Sequence, residues 1–300
     1  MIRGQSIRIF LADGSVTGIR HAEVVNWTGQ AVACPRSRIG ELSDWEEAHR
    51  PGVYLLFGSD EVSGRAAAYI GEAENVYSRL QDHLSRKEFW NEVILFSNKD
   101  ENLTKAHVRF LEHKLIASST QAKRYLLTNT ASPQGSRLPR GDRDAMESFF
   151  DQIRMLLGVL GHRILEPITS AADARVSASS VTTEPGITAG TMLYLKTKAV
   201  EAQAMLTDEG IVVLAGSKAA TKISDSFSTG YAKLRERLVD QGILSQDGNH
   251  LVFREDHLFS SPSAAAAAVV GYMVNGRDAW KTAGGVSVGQ LETIVASATS

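Results

Sequence analysis

Two short motifs that combine tyrosine with glycine, followed by an arginine, a histidine and a glutamate, carry the residue types that phosphodiester hydrolysis needs. The motifs are Gly52-Val53-Tyr54 and Tyr69-Ile70-Gly71, and Arg79, His83 and Glu112 come after them. The reaction requires an activated water, charge compensation on the phosphoryl oxygens and help for the departing oxyanion, and a divalent metal with a fixed cation supplies most of this. Magnesium keeps several of its waters, so one carboxylate beside a substrate phosphate is chemically sufficient to hold it.

These residues fall on a regular series of predicted elements. The apolar runs 53–57 and 66–70 are joined by a polar connection and indicate an antiparallel pair of strands. Residues 75–87 have apolar side chains at helical spacing, 92–96 form another apolar run, and 103–118 predict a longer helix. The fold class expected here is α+β, with a small antiparallel three-stranded sheet flanked by helices.

The two motifs and the polar residues after them resemble the GIY-YIG nuclease family. The resemblance covers about residues 51–129, because Arg79, His83, Glu112 and then Asn129 follow the motifs in the order that the family uses. Val53 stands where the family has isoleucine, which a strand tolerates. The connection between the two motifs also looks longer than usual, and this affects the shape of a loop more than the chemistry.

The resemblance implies a metal-dependent DNA endonuclease with three principal residues. Tyr54 would orient or deprotonate the attacking water, although a phenol with a pKa near ~10 is a poor base without help from a metal or a guanidinium. Arg79 would neutralise the charge that grows on the phosphate in the transition state. Glu112 would hold Mg²⁺, or Mn²⁺ in its place.

Five further residues take supporting roles in the same resemblance. His83 would relay a proton or bind phosphate, and Tyr69 and Asn129 would position water or brace the site. Gly52 and Gly71, which lack side chains, would let nucleic acid approach the backbone closely or would serve only as turn residues.

Each of these residues also has an ordinary explanation when taken alone. Tyr54 and Tyr69 fit half-buried positions in strands, and Arg79 and His83 fit the solvated surface of a helix. Glu112 lies among cationic residues, so a surface ion pair explains it about as well as a metal does. The joint pattern therefore carries the catalytic interpretation, and a catalytically silent nucleic-acid-binding protein on the same scaffold stays the alternative.

The charge distribution favours a nucleic-acid partner locally. The whole chain has a net charge of −2, which argues against a generally basic protein. From residue 75 to residue 143, however, twelve Lys and Arg stand against seven Asp and Glu. Arg137 and Arg140 lie in a turn-rich basic segment of this region and are expected to contact DNA phosphates. RNA stays open as a substrate.

The first fifty residues predict a separate N-terminal β-rich element, 1–50. Short strands are expected at 7–11, 16–20 and 22–27, separated by turn residues, with a helix at 37–48. The nuclease-like domain is then expected to occupy 51–166, closed by a third helix.

The second half of the chain predicts another domain. Residues 167–190 are rich in Ser, Thr, Ala, Pro and Gly, which is typical of a linker. Residues 191–300 predict a mixed α/β domain that resembles an uncharacterised domain found C-terminal to bacterial GIY-YIG proteins, with a role in substrate recognition or in docking a protein partner. Within it, Arg277, Trp280 and Lys281 suit stacking on nucleic acid, unless the tryptophan closes the core.

Composition places the chain among soluble globular proteins. It has 300 residues, of which 43% are hydrophobic and 22% charged, and this length predicts two domains. A single cysteine, Cys34, allows no intramolecular disulfide. The sequence predicts neither a signal peptide nor a membrane-spanning run, so a cytoplasmic protein without a membrane partner is expected.

Overall fold

The chain folds into two compact units, Met1–Pro167 and Ile168–Ser300. The computed structural model describes residues 4–61, 63–100, 102–129, 135–168, 190–225 and 227–298, with side chains to residue 294. The predicted linker, 167–190, lies outside the described residues except at 167, 168 and 190. Each unit is described by itself below.

The first unit is built on one seven-stranded sheet. Its strand order is β1-β2-β3-β6-β4-β5-β7, and all neighbours are antiparallel except β5 and β7, which are parallel. The strands are β1 Ile7–Leu11, β2 Arg20–Val24, β3 Gly29–Pro35, β4 Gly52–Ser59, β5 Ala66–Ala73, β6 Trp90–Asn98 and β7 Leu126–Leu127.

Helices cover both faces of this sheet. The helices are α1 Val76–Arg86, α2 Lys105–Ala122 and α3 Arg140–Val159. Residues Val53, Leu55 and Phe57 of β4 belong to the apolar core beneath α2 and α3, whereas the alternate residues Tyr54 and Leu56 belong to the core beneath α1. A strand buried on both faces needs a continuous apolar sequence, and this explains the run from Val53 to Phe57.

The prediction of a three-stranded sheet was wrong, although the mixed α+β class is correct. The expected strands β4, β5 and β6 form the middle of the sheet, but β1 to β3 and β7 extend it to seven. Strand β3 was missed because its sequence, GQAVACP, is rich in small residues of low strand propensity. It pairs with β6 along its whole length, and its first six residues are buried, so tertiary packing decides its conformation. The strands of 1–50 therefore share a sheet with those of 51–166.

Two local predictions in the first fifty residues were also wrong. Residues 16–18 form a turn rather than a strand, and β2 begins at Arg20. The expected helix at 37–48 is instead a pair of 3-10 helices, Arg36–Asp44 and Glu46–His49. The residue between them, Trp45, has an extended backbone, and this break prevents one continuous α-helix.

The second unit is mixed, as expected, and contains two antiparallel sheets. One has the order β14-β10-β9-β8 and the other β11-β13-β12. The strands are β8 Met192–Lys196, β9 Glu201–Thr207, β10 Gly210–Val213, β11 Lys218–Ala220, β12 Leu244–Asp247, β13 His250–Phe253 and β14 His257–Phe259. The helices are α4 Thr229–Asp240, α5 Pro262–Val270, α6 Gly276–Ala279 and α7 Val288–Ala298.

Helix α5 and Trp280 close the core of this second unit. The Ser261 hydroxyl accepts a hydrogen bond from the Ala264 amide at 3.2 Å and caps the helix, and the helix is buried from Ala265 to Val270. Trp280 is fully buried, and its indole donates to the Pro262 carbonyl at 3.2 Å. Trp280 therefore offers no ring for stacking on a nucleic acid, and its role is to close the core.

Among the described residues, no helix combines the length and the apolar character that crossing a bilayer requires.

Replacing Trp280 tests this packing. Trp280→Ala removes a buried ring, leaves a cavity and removes the hydrogen bond to the Pro262 carbonyl, so we expect the second unit to lose about 3–5 kcal/mol of unfolding free energy. Lys281→Ala replaces the neighbouring exposed side chain and should change the unfolding free energy by less than ~0.5 kcal/mol. Urea denaturation followed by circular dichroism measures both, and equal losses in the two variants would contradict the assignment.

Candidate active site

The two tyrosine and glycine motifs lie side by side in the centre of the first unit. Strands β4 and β5 pair so that Tyr54 stands opposite Gly71. Tyr54 is fully buried, and its ring lies over Gly71 so closely that an added Cβ would come within 2.5 Å of Cζ of the ring. Gly52 is restricted in the same way, because a Cβ there would overlap the carbonyl oxygen of Phe96. Packing inside the sheet thus requires both motif glycines.

The Tyr54 hydroxyl is joined to a buried histidine on α1. It lies 2.8 Å from Nε2 of His83, and the ring of Tyr69 meets the His83 ring edge-on at 5.1 Å between centroids. Burial, followed by the charges of Arg79 and Lys87, lowers the pKa of His83 to about 4. Burial also raises the pKa of Tyr54 well above its usual range. At neutral pH the pair is therefore an uncharged phenol hydrogen-bonded to an uncharged imidazole.

Arg79 connects this buried pair to solvent. It precedes His83 by one turn of α1, which begins at the Asn75 cap, where the side chain accepts from the Ser78 amide at 2.9 Å. The Arg79 side chain is 43% exposed and lies 3.7 Å from Asp82. Hydrogen bonding to Tyr54 raises the pKa of Arg79, and Arg79 in turn opposes the rise in the Tyr54 pKa that burial causes. The guanidinium is thus held beside the phenol while remaining open to a ligand.

Glu112 approaches the same end of the sheet from α2. Its neighbours Val108, Leu111 and Leu115 are buried, so Glu112 lies at the margin of the buried stripe of the helix. Burial, with the negative charge of Glu72 next in size, raises the pKa of Glu112 to about 7. The charge of Glu112 also contributes to raising the pKa of Tyr54. The carboxyl is consequently close enough to influence the phenol electrostatically.

Glu72 and Lys105 belong to this site, although the sequence analysis did not identify them. Lys105 Nζ lies 3.0 Å from the Glu72 carboxylate, and Arg109 Nε lies 3.8 Å from its other oxygen. Two sequence signals were available for them. Glu72 directly follows the second motif, and residues 105, 109 and 112 recur at the helical spacing that places them on one face of α2.

An open cleft of about 440 Å³ lies between the start of α1 and the start of α2. Arg79 lines it from α1, Lys105 lines it from α2, and Glu72 lies between them at the end of β5. Its complete lining is Glu72, Ala73, Glu74, Asn75, Ser78, Arg79, Asp82 and Lys105. A phosphate in this cleft would meet one cation on each side.

The acidic residues fit a magnesium ion that keeps most of its waters. Within the described part of the chain, no group of three or more His, Cys, Asp or Glu residues could enclose a metal ion. Glu112 and Glu72 supply two carboxylates, and burial with the charge of Glu72 raises the pKa of Glu112 to about 7 even though Lys105 and Arg109 act in the opposite direction. A divalent cation would supply further positive charge, and Mg²⁺ takes few protein ligands.

Lys87 and Asn129 support the second motif from its two sides. The Lys87 ammonium lies 4.1 Å from the centre of the Tyr69 ring, and burial lowers the pKa of this lysine. The Asn129 side chain accepts from the Ile70 amide at 3.1 Å and donates to the Ile70 carbonyl at 2.7 Å. Asn129 therefore acts as a strand partner that fixes the backbone between Tyr69 and Gly71.

The two arginines expected to contact nucleic acid are exposed. Arg137 precedes α3 and Arg140 begins it, whereas residues 130–134 of the same basic segment lie outside the described residues. The segment passes close to α2, since a Cβ on Gly135 would lie 3.0 Å from the His113 ring. His113 follows Glu112 directly, so this segment runs past the part of α2 that carries Glu112.

Comparison with known families gives one match. Residues 193–292 match a family described as a domain of unknown function (DUF4357). The match lies in the second unit and agrees with the uncharacterised C-terminal domain expected from the sequence, whereas the family comparison gives no match for the resemblance of residues 51–129 to GIY-YIG nucleases. Neither the curated proteins nor the solved structures give a match.

The raised pKa of Glu112 predicts a pH-dependent effect of Glu112→Gln. The carboxyl has a pKa near 4.5 when unfolded and about 7 when folded, so its contribution to stability is complete below pH 4.5 and is lost as the pH rises to 7. We expect the glutamine variant to gain unfolding free energy relative to the wild type across this window. Urea denaturation without divalent metal measures the difference.

Two features make this comparison interpretable. First, the pKa of His83 is lowered, so its contribution to the unfolding free energy is lost as the pH falls from 6.5 towards 4, which is the opposite direction from Glu112. This loss occurs equally in the wild type and in Glu112→Gln, so it cancels in the difference between them. Second, Glu74→Gln alters an exposed carboxylate lining the same cleft and serves as the matched control. A difference between Glu112→Gln and the wild type that stays constant with pH would show that Glu112 has an ordinary pKa.

Proposed function

We propose that the first unit is a Mg²⁺-dependent endonuclease of the GIY-YIG type that hydrolyses DNA phosphodiester bonds. The observation that carries the proposal is the convergence of Tyr54, His83, Arg79 and Glu112 at one end of the sheet, from a strand and two helices. A phenol, an imidazole, a guanidinium and a carboxylate at one end of the sheet, beside a cleft that Arg79 lines, are the groups that a single-metal phosphodiesterase needs.

Arg79 is suited to stabilise the transition state. Arg79 lines the cleft, interacts with Tyr54 on its buried side and is 43% exposed, so its guanidinium would be accessible to a substrate phosphate. Negative charge on the phosphoryl oxygens increases as the nucleophile attacks, and a positioned, permanently charged donor stabilises that state more than the ground state. Lys105 lies on the other side of the cleft and would hold the neighbouring phosphate.

Tyr54 is suited to hold Arg79 in place beside the cleft rather than to act as a base unaided, because its side chain is fully buried. Its raised pKa keeps the phenol protonated at neutral pH, and the neutral His83 beside it provides an acceptor for the phenol proton. Because the pKa of His83 is about 4, this imidazole is too weak a base to take up a water proton, and its role would be to fix the direction of the Tyr54 hydroxyl. Arg79 opposes the rise in the Tyr54 pKa that burial causes. Tyr69, packed on His83, keeps the imidazole in place.

Glu112 would hold the magnesium ion, with Glu72 as the neighbouring carboxylate. When bound, Mg²⁺ would lower the pKa of a coordinated water and offset charge on the phosphate. Because the Glu112 carboxyl retains a proton up to about pH 7, metal binding must displace this proton, and affinity should rise with pH through that range.

DNA is the substrate that the charge pattern favours. Residues 75–143, which have more basic than acidic side chains, include several of the residues that line the cleft. The exposed Arg137 and Arg140 would provide phosphate contacts beside α2. The second unit would supply substrate recognition or a docking surface for a protein partner. RNA contains the same phosphodiester, so it serves as the comparison substrate.

The alternative is a nucleic-acid-binding protein without catalysis. One observation favours it, because Lys105 and Arg109 already compensate the charge of Glu72, as they would in an ordinary ion-pair network. In that case Arg79 and Lys105 bind phosphate and Glu112 binds no metal.

Glu112→Gln distinguishes the two functions. The amide keeps the shape of the carboxylate but loses the charge that holds the metal, so we expect cleavage of plasmid DNA in magnesium to fall by at least about a hundredfold. Circular dichroism should show an unchanged fold, and Glu74→Gln should cleave at the wild-type rate. Wild-type turnover by Glu112→Gln would remove this residue from the site.

Arg79 and the exposed arginines should affect different measurements. Arg79→Ala should slow single-turnover cleavage about a hundredfold or more with little change in Kd, since its role lies in the transition state. The double variant Arg137→Ala, Arg140→Ala should weaken DNA binding and reduce its salt dependence, by about one unit of slope for each phosphate that the variant no longer binds. Its cleavage rate at saturating enzyme should change little.

Fluorescence anisotropy against salt concentration, followed by single-turnover kinetics, measures both effects. If Arg79→Ala loses affinity and rate in equal proportion, Arg79 is only a phosphate-binding residue, and the binding protein becomes the better account.

A further inference from the structure

The first strand of the seven-stranded sheet is an open edge that carries exposed apolar side chains. Strand β1 pairs with β2 on one side only, and no described residue pairs with its other side. Ile9 and Phe10 are 44% and 61% exposed. Edge strands in natural proteins are usually protected by charged side chains, proline or a bulge. The sequence of β1, IRIFL, has Arg8 as its one charged residue and no proline, and its pairing with β2 is regular.

The hydrogen bonds to β2 determine which residues face outward. The Val25 amide donates to the Ser6 carbonyl at 2.9 Å, and the Ala12 amide donates to the Ile19 carbonyl at 3.0 Å. Hydrogen-bonded and non-hydrogen-bonded pairs alternate along an antiparallel ladder, so the even-numbered residues of β1 bond to β2. The amides and carbonyls of Ile7, Ile9 and Leu11 consequently point away from the sheet.

We propose that this edge binds the same edge of a second copy of the chain, antiparallel, with Ile9 facing Ile9 on the two-fold axis. In this register the outward groups of Ile7 meet those of Leu11 in the other copy, and the two Ile9 residues exchange hydrogen bonds. The result is one continuous sheet that spans two chains.

The side chains fit the same register. Ile7, Ile9 and Leu11 lie on one face of β1 and form an apolar row across the axis. On the other face, Arg8 of each copy lies beside Phe10 of the other, which permits cation–π contact and keeps the two arginines apart. Arg8 is 74% exposed, with only a 3.7 Å contact to Glu23, so it is available for this contact.

Other symmetric registers fit less well. Centring the pair on Arg8 or Phe10 puts a non-hydrogen-bonded pair at the axis and matches only two of the three outward residues of each strand. Centring on Arg8 also brings two like charges together. Centring on Ile7 or Leu11 shortens the overlap of the strands. The register centred on Ile9 uses all three outward residues of both copies.

Two variants with opposite charges at position 9 test the proposal. Ile9 is exposed and contributes little to the core, so Ile9→Lys and Ile9→Glu should each fold, but two like charges at the axis should weaken association at least about tenfold. Mixed in equal amounts, the two variants should associate with each other. Val16→Lys changes a residue that is 70% exposed outside β1 and should leave association unchanged.

Sedimentation equilibrium over a range of concentrations measures the association, with circular dichroism to establish folding. We expect a wild-type dimer, two monomeric single variants and a dimer in their mixture, with slow hydrogen exchange at the Ile7 and Leu11 amides only in the dimers. A monomeric wild type would overturn the proposal, as would dimers that persist in both single variants. A mixture that stays monomeric would overturn pairing centred on Ile9.

Discussion

The burial of the Tyr54 phenol is the constraint on which the rest of the site depends. A large ring with a polar end lies at the centre of a sheet that is covered on both faces, so its hydroxyl needs a partner and its ring needs space. Gly71 provides the space by lacking a side chain, and His83 provides the partner. Because His83 lies on α1, the same hydrogen bond fixes this helix on the sheet and holds Arg79 at the mouth of the cleft.

Charge is distributed around the cleft in a way that suits an anionic ligand and a cation together. Arg79 and Lys105 line the cleft together with the acidic residues Glu72, Glu74 and Asp82. Glu112 lies close enough to Glu72 for their charges to interact. Burial and the charge of Glu72 raise the pKa of Glu112 to about 7, so the protein by itself leaves this carboxylate incompletely compensated. A divalent cation beside this carboxylate would complete the compensation and lower its pKa.

The sequence predicted the elements that carry regular patterns and missed those that depend on tertiary packing. The hairpin of β4 and β5 and the helices α1 and α2 follow from apolar periodicity and a capping asparagine. Strand β3 could not be predicted, because small residues acquire strand structure there only by pairing with β6. At the site, the joint pattern identified Tyr54 and Arg79, but their contacts, including the covering of Gly71 by Tyr54, depend on strand register, which periodicity does not reveal.

The central claim is that the first unit hydrolyses DNA with the help of a divalent metal. The most direct measurement incubates the purified wild-type protein with supercoiled plasmid in Mg²⁺, in Mn²⁺ and in chelator, after gel filtration has shown that the activity elutes with the protein. The account predicts nicked or linear DNA in either metal and intact plasmid in chelator. Intact plasmid under every condition, with the protein shown to be folded, would contradict it.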